Sequence, residues 1–284
     1  MIMSSKVITR FAPSPTGDLH PGHAYSALFG FEAARKSGGR FLLRIEDIDF
    51  TRCRREFEPG IYEDLMWLGI EWELPVRRQS DHLTDYFAAA EQLRNRGLLY
   101  PCFCTRKDIQ REIEAAGGAP HGIEGLLYPG SCRSLSEDER QSRILGGESY
   151  AMRLDVNRAV DEVGRNLEWI DLKRGIQRAE PQMLGDVVLI RKDIGCSYHL
   201  AVVVDDALQE VTRITRGEDL FEATHVQRIL QALLGLNPPE YFHHSLICDS
   251  NGRRLAKRNE AETLRSMRQR GISVTEFIEW LGFK

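Results

Sequence analysis

The sequence lacks any apolar run close to the ~20 residues needed to span a bilayer. Its longest, such as Leu200-Ala-Val-Val-Val204, read instead as buried strands. The first residues, Met1-Ile-Met-Ser-Ser-Lys6, lack the apolar stretch of a secretory signal. Cysteine is too sparse for a disulfide framework, with six in 284 residues. These absences predict a cytoplasmic chain with reduced thiols and no membrane partner. Neither charge sign is in large excess. A net charge of −4 argues against a body coated for non-specific nucleic-acid binding. With 24 Gly and 11 Pro, collagen-like and low-complexity classes are excluded, and 42% hydrophobic residues can build a sizeable core.

The charge that is present is unevenly placed. Residues 253–270 hold seven basic and two acidic side chains, net +5, so the remainder carries −9. A basic segment on an acidic body suits a chain that meets phosphate at one place; on charge alone it equally suits a solvated helix face.

Along the chain, Lys6–Phe11 reads as a strand and the Pro-stiffened loop 12–18 follows. A helix then runs to Lys36, Gly38-Gly39 ends it, and Arg40–Ile45 is the next strand. Strand, helix and strand in this span predict a βαβ unit with a parallel sheet. Further helices are expected at Glu56–Leu68, at 82–96 and at Ala223–Leu234, and a short one at Val274–Leu281. Strands are expected at 150–156, 186–191 and 200–204, and from Tyr100 to Gly147 the pattern reads as loops.

The first chemical constellation is Arg10-Phe-Ala-Pro-Ser-Pro-Thr-Gly-x-Leu-His-x-Gly-His23. A strand end delivers a stiff loop to a helix N-terminus, where free N–H groups and the positive dipole end attract an anion. His20 and His23 can both donate to a phosphate held there, and Gly22 removes a side chain that would keep a ligand away. This string resembles the signature of the class I glutamyl-tRNA synthetases, with His20-Pro-Gly-His23 standing for the family's HIGH tetrapeptide. The resemblance continues in order through Arg44-Ile-Glu-Asp-Ile-Asp49, Asp186-Val-Val-Leu189, Tyr198–Asp206, Thr215-Arg-Gly-Glu-Asp219 and Leu255-Ala-Lys-Arg258.

The resemblance implies an α/β fold. A Rossmann-like, parallel-sheet nucleotide-binding domain would carry a zinc-binding insertion and a small helical C-terminal region. On that scheme residues 1–100 and 195–235 are the two halves of the catalytic domain, 101–194 the insertion, and 236–284 the helical region with the family's KMSKS-like loop. His20, His23 and Lys257 are the implied catalytic residues, and Gly22 and Arg258 join them around ATP. The chain departs from the family pattern at Arg254 and Ala256, where lysine and serine are usual.

Amino-acid activation brings a carboxylate onto the α-phosphate of ATP, one anion approaching another. It therefore calls for positioning and cationic neutralisation rather than a general base. Histidines, one lysine and Mg²⁺ would supply that. Free glutamate carries two carboxylates and an ammonium, so its pocket needs cations and an anion. By resemblance Arg10 and Tyr198 hold the side-chain carboxylate, Glu46 the ammonium and Arg216 the α-carboxylate, with Ala12 and Ser14 lining the loop.

Cys102, Cys104 and Cys132 cluster in the sequence; three thiols at this spacing can bind Zn²⁺ or fill a small core. The resemblance adds Tyr128 as fourth ligand, because shortened paralogues of the family carry this pattern, and implies one structural zinc. Only 26 residues follow Arg258, too few for an anticodon-binding domain. The shortened paralogues activate L-glutamate with ATP in the absence of tRNA, then esterify it onto queuosine in the anticodon of tRNA(Asp). The resemblance therefore implies that activity, with tRNA(Asp) bearing queuosine as partner and a monomer as the expected state. Two alternatives stay open: a short enzyme charging the 3′ end of tRNA(Glu), and a non-catalytic RNA-binding paralogue.

Overall fold

The computed structural model describes residues 6–115, 121–122, 125–193, 195–247 and 262–283. The chain opens with β1 (Ile8–Phe11), α1 (Pro21–Lys36) and β2 (Arg40–Ile45), followed by α2 (Glu58–Trp67) and β3 (Glu73–Arg78). All three strands are parallel, with Ile8 opposite Arg40 and Arg44 opposite Arg77. Pro21 occupies the first turn of α1, where its missing N–H costs nothing. Gly30 lets α1 lie close on the sheet: a Cβ there would stand 2.8 Å from Thr215 Oγ1 and 3.3 Å from the Phe41 ring.

The middle of the chain comprises α3 (Leu83–Asn95), β4 (Leu99–Cys102), α4 (Arg106–Ala115), β5 (His121–Gly122), β6 (Gly125–Leu126), α5 (Glu137–Leu145), β7 (Ala151–Leu154) and α6 (Val156–Val163). After these come β8 (Glu168–Asp171), β9 (Gly175–Arg178), β10 (Val188–Arg191) and β11 (Gly195–Cys196). β11, β10, β7 and β4 form an antiparallel sheet in that order. The stretch expected as loops thus contains α4 and α5. The latter starts at a Ser136–Glu139 capping box yet buries no residue, so no apolar stripe marked it.

The last part comprises α7 (Tyr198–Leu208), β12 (Arg213–Gly217), α8 (Ala223–Leu233), β13 (Glu240–His244), α9 (Leu264–Gln269) and α10 (Val274–Trp280). The expectation of a strand at 200–204 is corrected, because these residues form the middle of α7. Leu200 through Val204 are all buried, and a helix buried on every side shows the same unbroken apolar run as a core strand.

β12, β13, β8 and β9 form a second sheet in that order, parallel except for the β8–β9 hairpin. Two hydrogen bonds join it to the first sheet: Thr212 N–H to Ile8 O at 3.0 Å and Ile8 N–H to Thr212 Oγ1 at 2.9 Å. The strands therefore run β3, β2, β1, β12, β13, β8, β9, and the order reverses between β1 and β12. In such a fold the crevice at the carboxyl ends of those two strands is where ligands bind. One core cluster joins Leu93, Leu154, Leu200, Val226 and Leu230; another joins Ala27, Leu43, Ile61, Leu264 and Phe277 beneath α1 and the C-terminal helices. Among the described residues no helix is long and apolar enough to cross a membrane.

Candidate active site at the strand-order reversal

A cavity of about 480 Å³ opens at this reversal. Arg10 reaches it from β1, Glu46 from the residue after β2, Arg216 from β12 and Tyr198 from the first turn of α7. Ala12 and Ser14 line it from the loop, and His20, Gly22 and His23 from the start of α1. Nine of the residues singled out from the sequence thus face one cavity. Lys257 and Arg258 lie outside the described residues.

The two histidines are arranged as donors. Gly22 N–H donates to His20 Nδ1 at 3.1 Å, and His20 N–H donates to His23 Nδ1 at 3.2 Å. A neutral ring that accepts at Nδ1 carries its proton on Nε2. The ring centroids lie 3.8 Å apart with the planes tilted by 33°, so two N–H donors are paired at the helix N-terminus.

Beneath the cavity lies a buried ionic network. Arg10 donates to Asp206 through Nε at 3.0 Å and Nη2 at 3.3 Å. Arg44, fully buried, donates to the same carboxylate at 2.8 Å and to Gln209 at 2.9 Å, and its Nη2 lies 3.4 Å from Glu46. Asp205 accepts from Arg77 at 2.7 Å, Gln79 at 2.8 Å and Tyr86 at 2.9 Å. The surrounding charges divide the carboxyls. Burial pushes Glu46 above its ordinary value, against the pull of Arg44 and Arg10. Asp206 is equally disfavoured by burial, but Arg10 and Arg44 outweigh it and hold its pKa down. One sequence signal points this way: Arg44 stands between the apolar residues Leu43 and Ile45 in the buried part of β2, where a charge must find a partner.

Arg216 is almost completely buried and has a partner for each nitrogen. Nε donates to His243 Nε2 at 3.0 Å, Nη1 to Tyr198 Oη at 3.3 Å and Nη2 to Thr224 Oγ1 at 2.6 Å.

The cysteine cluster belongs to the other sheet. Cys102 ends β4, and Cys104 Sγ lies 3.4 Å from Cys132 Sγ and 3.8 Å from Tyr128 Oη. The three Sγ atoms lie within 4.8 Å of one another. Thiolates on one tetrahedral Zn²⁺ stand about 3.8 Å apart, given Zn–S bonds of ~2.3 Å. The residues present therefore fit a zinc ion, with Tyr128 Oη near enough for the fourth position. Phe103 N–H and the Tyr128 hydroxyl favour the Cys132 thiolate against its burial, whereas burial pushes the Cys104 thiol up to about 12.

Residues 6–282 match the family model described as tRNA synthetases class I (E and Q), catalytic domain. The chain belongs to this family. It is 48% identical over 281 residues to the glutamyl-Q tRNA(Asp) synthetase of Rhodobacter capsulatus, covering 97% of this chain and 100% of the relative. Identity to the protein of the same name from Nocardia farcinica is 43%, covering 96% of this chain and 82% of that one. A glutamate–tRNA ligase from Hydrogenobaculum is 38% identical, over 97% of this chain and 57% of the ligase. Among solved structures, a glutamate tRNA ligase from Elizabethkingia meningosepticum in complex with its amino acid superposes with a TM-score of 0.80 at 28% identity. The match covers 98% of this chain and 60% of that structure, so the chain spans about three fifths of that ligase's length. The shared fold explains why arginines and an acid from separate strands converge here: all stand at the carboxyl ends of neighbouring parallel strands.

Proposed function

We propose that the chain activates L-glutamate with ATP, without tRNA, and then transfers the glutamyl group to the queuosine base in the anticodon of tRNA(Asp). The observation that carries the activation step is the convergence of Arg10, Glu46, Tyr198 and Arg216 beside the His20–His23 donor pair on one cavity. Two arginines meet two carboxylates, one carboxylate meets the ammonium, and the helix start meets phosphate. The acceptor assignment is supported by the full-length similarity to the Rhodobacter capsulatus relative of that name.

In the first step an oxygen of the α-carboxylate attacks the α-phosphorus. The bond from that phosphorus to the bridging oxygen breaks, and pyrophosphate leaves with the electron pair. Arg216 positions the attacking carboxylate, held by its three side-chain partners. His20 and His23 donate from Nε2 to phosphate oxygens, and Lys257 and Arg258 neutralise the leaving pyrophosphate. Mg²⁺ bound with ATP would supply further neutralisation of the phosphates. In the second step a hydroxyl of the queuosine cyclopentenediol attacks the acyl carbon; the bond from that carbon to the phosphate oxygen breaks, AMP leaves with the electron pair, and the hydroxyl proton passes to solvent. Zn²⁺ held by Cys102, Cys104, Tyr128 and Cys132 would serve structure, since these ligands lie on the other sheet. Monomeric action in the cytoplasm completes the proposal.

The test is transfer of labelled glutamate, with ATP and Mg²⁺, to three acceptors: tRNA(Asp) containing queuosine, the same tRNA without it, and tRNA(Glu). Label on the first alone is expected. Label on tRNA(Glu) would instead establish a short aminoacylating enzyme. Glutamate-dependent pyrophosphate exchange with no labelled RNA would refute the acceptor assignment but keep activation.

A further inference from the structure

We propose that Asp171 and His243 are positioning residues for Arg216, fixing its guanidinium in the orientation that receives the amino-acid carboxylate. The inference deepens the reading above and rests on Arg216 being the carboxylate ligand.

Three adjacent strands place the three residues in line. Asp171 ends β8, His243 lies on β13 and Arg216 on β12, with His243 in register opposite Arg216. Asp171 and His243 have no exposed surface and Arg216 has 5%. His243 Nδ1 lies 2.7 Å from Asp171 Oδ2, and Arg216 Nε lies 3.0 Å from His243 Nε2.

The chemistry of these contacts fixes the imidazole's state. An arginine nitrogen can only donate, so His243 Nε2 must accept, and the ring proton must sit on Nδ1 facing the carboxylate. The ring is walled by Trp169, Phe221 and Tyr241, whose centroids lie 5.1 to 5.9 Å away. Burial, together with the charge on Arg216, pushes the His243 pKa down to about 3 against the attraction of Asp171, so the ring is neutral. Asp171 is fixed in turn: its Oδ1 accepts the backbone N–H groups of Lys173 and Arg174, each at 2.9 Å. The turn after β8 therefore orients the carboxylate, the carboxylate sets the tautomer, and the tautomer presents a lone pair to Arg216. Thr224 completes the clamp at Nη2.

This division of labour within Asp171 makes a sharp test. In Asp171→Asn the amide oxygen can keep the two turn N–H groups, which leaves the NH₂ facing His243 Nδ1 and also the His243 backbone N–H that Oδ2 accepts at 3.3 Å. The ring proton must then move to Nε2, where it opposes the Arg216 Nε–H. In His243→Gln the amide can rotate to offer its oxygen to Arg216 whatever residue 171 demands.

The experiment is glutamate- and ATP-dependent pyrophosphate exchange on the full chain, with each substrate varied separately and the melting temperature recorded. Asp171→Asn should raise KM for glutamate about ten- to hundredfold, the worth of one hydrogen bond to a charged group, while KM for ATP holds. In the His243→Gln background the same substitution should add no further rise in KM for glutamate, while its cost against the residue-243 N–H is read in the melting temperature. His243→Phe, which keeps a buried ring but removes the acceptor, should reproduce the rise for glutamate alone. Equal changes in both KM values, a loss confined to kcat, or a rise in glutamate KM that persists in the His243→Gln background would overturn the inference. So would unfolding of Asp171→Asn together with an unaltered glutamate KM in His243→Phe. Absence of exchange in the unmodified chain would instead refute the activation reading, and this inference with it.

Discussion

Asp206 holds Arg10 along one edge of its guanidinium, with Nε 3.0 Å from one carboxylate oxygen and Nη2 3.3 Å from the other. Because Arg44 donates to the same carboxylate at 2.8 Å, removing its charge takes the paired carboxylate from Arg10 and leaves Arg44 only the more distant Glu46 and Asp205, at 3.4 and 3.6 Å. Asp206→Asn should cost about 3–5 kcal/mol, the usual penalty for breaking a buried pair on one side, measured by denaturant unfolding. The pH dependence has a definite sign. Asp206 has a folded pKa below its ordinary 3.8, so its stabilisation is fully present above that value and is lost as pH falls through the lower folded one. The mutant should show a shallower acid slope than the parent, and an unchanged slope would remove Asp206 from this role.

Glu46 moves the other way. Burial raises its pKa above the ordinary 4.5, so acidification neutralises it sooner than an exposed carboxylate. An ammonium binds only the ionised form. KM for glutamate should therefore climb as pH falls from neutrality toward that raised value, and the bound ammonium should draw the pKa back down. Glu46→Gln should raise KM at neutral pH by about tenfold or more, the loss of a charged hydrogen-bond partner, and should flatten the climb. The measurement is KM for glutamate against pH in both proteins; parallel curves would refute the assignment.

The candidate site is legible where it is written in contiguous strings. The loop after β1, the His20-Pro-Gly-His23 turn and the residue after β2 are local signals, and their ligand candidates do line one cavity. The supporting residues were not legible, because their partners are remote: Arg10 and Asp206 are 196 positions apart, and Asp171 and His243 are 72 apart. No single-sequence periodicity joins such pairs. Asp205 and Asp206 also close a run that reads as a strand, although as residues of α7 they turn toward Arg77 and Arg10. β8 and β9 lie within the span expected to be an insertion, yet they pair with β13 in the sheet that bears Arg216. That return of the chain to the sheet is what brings Asp171 beneath the site.

The proposed function gives Lys257 the contact with the leaving pyrophosphate. Lys257→Ala should lower glutamate-dependent pyrophosphate exchange about 10²–10³-fold, the scale of losing one preorganised transition-state contact, with the melting temperature held. Exchange equal to the parent would show that neutralisation comes from other residues.

The cysteine cluster separates a metal reading from a thiol core by composition and stability together. Cys102 and Cys132 are buried beside Tyr100 and Phe103, so apolar packing alone could hold them without metal. Thiols confined in that way should survive chelation and tolerate Cys104→Ser with little loss. A zinc centre should not, because part of its binding free energy is folding free energy. The expected result is one zinc per chain by elemental analysis, lost in Cys104→Ser and in Cys132→Ser, with a clear fall in melting temperature that a strong chelator reproduces in the parent. Glutamate activation should survive in whatever fraction stays folded, since the cluster lies on the β11-β10-β7-β4 sheet and not at the strand-order reversal. A metal-free chain whose melting temperature ignores the chelator would assign the thiols to packing alone.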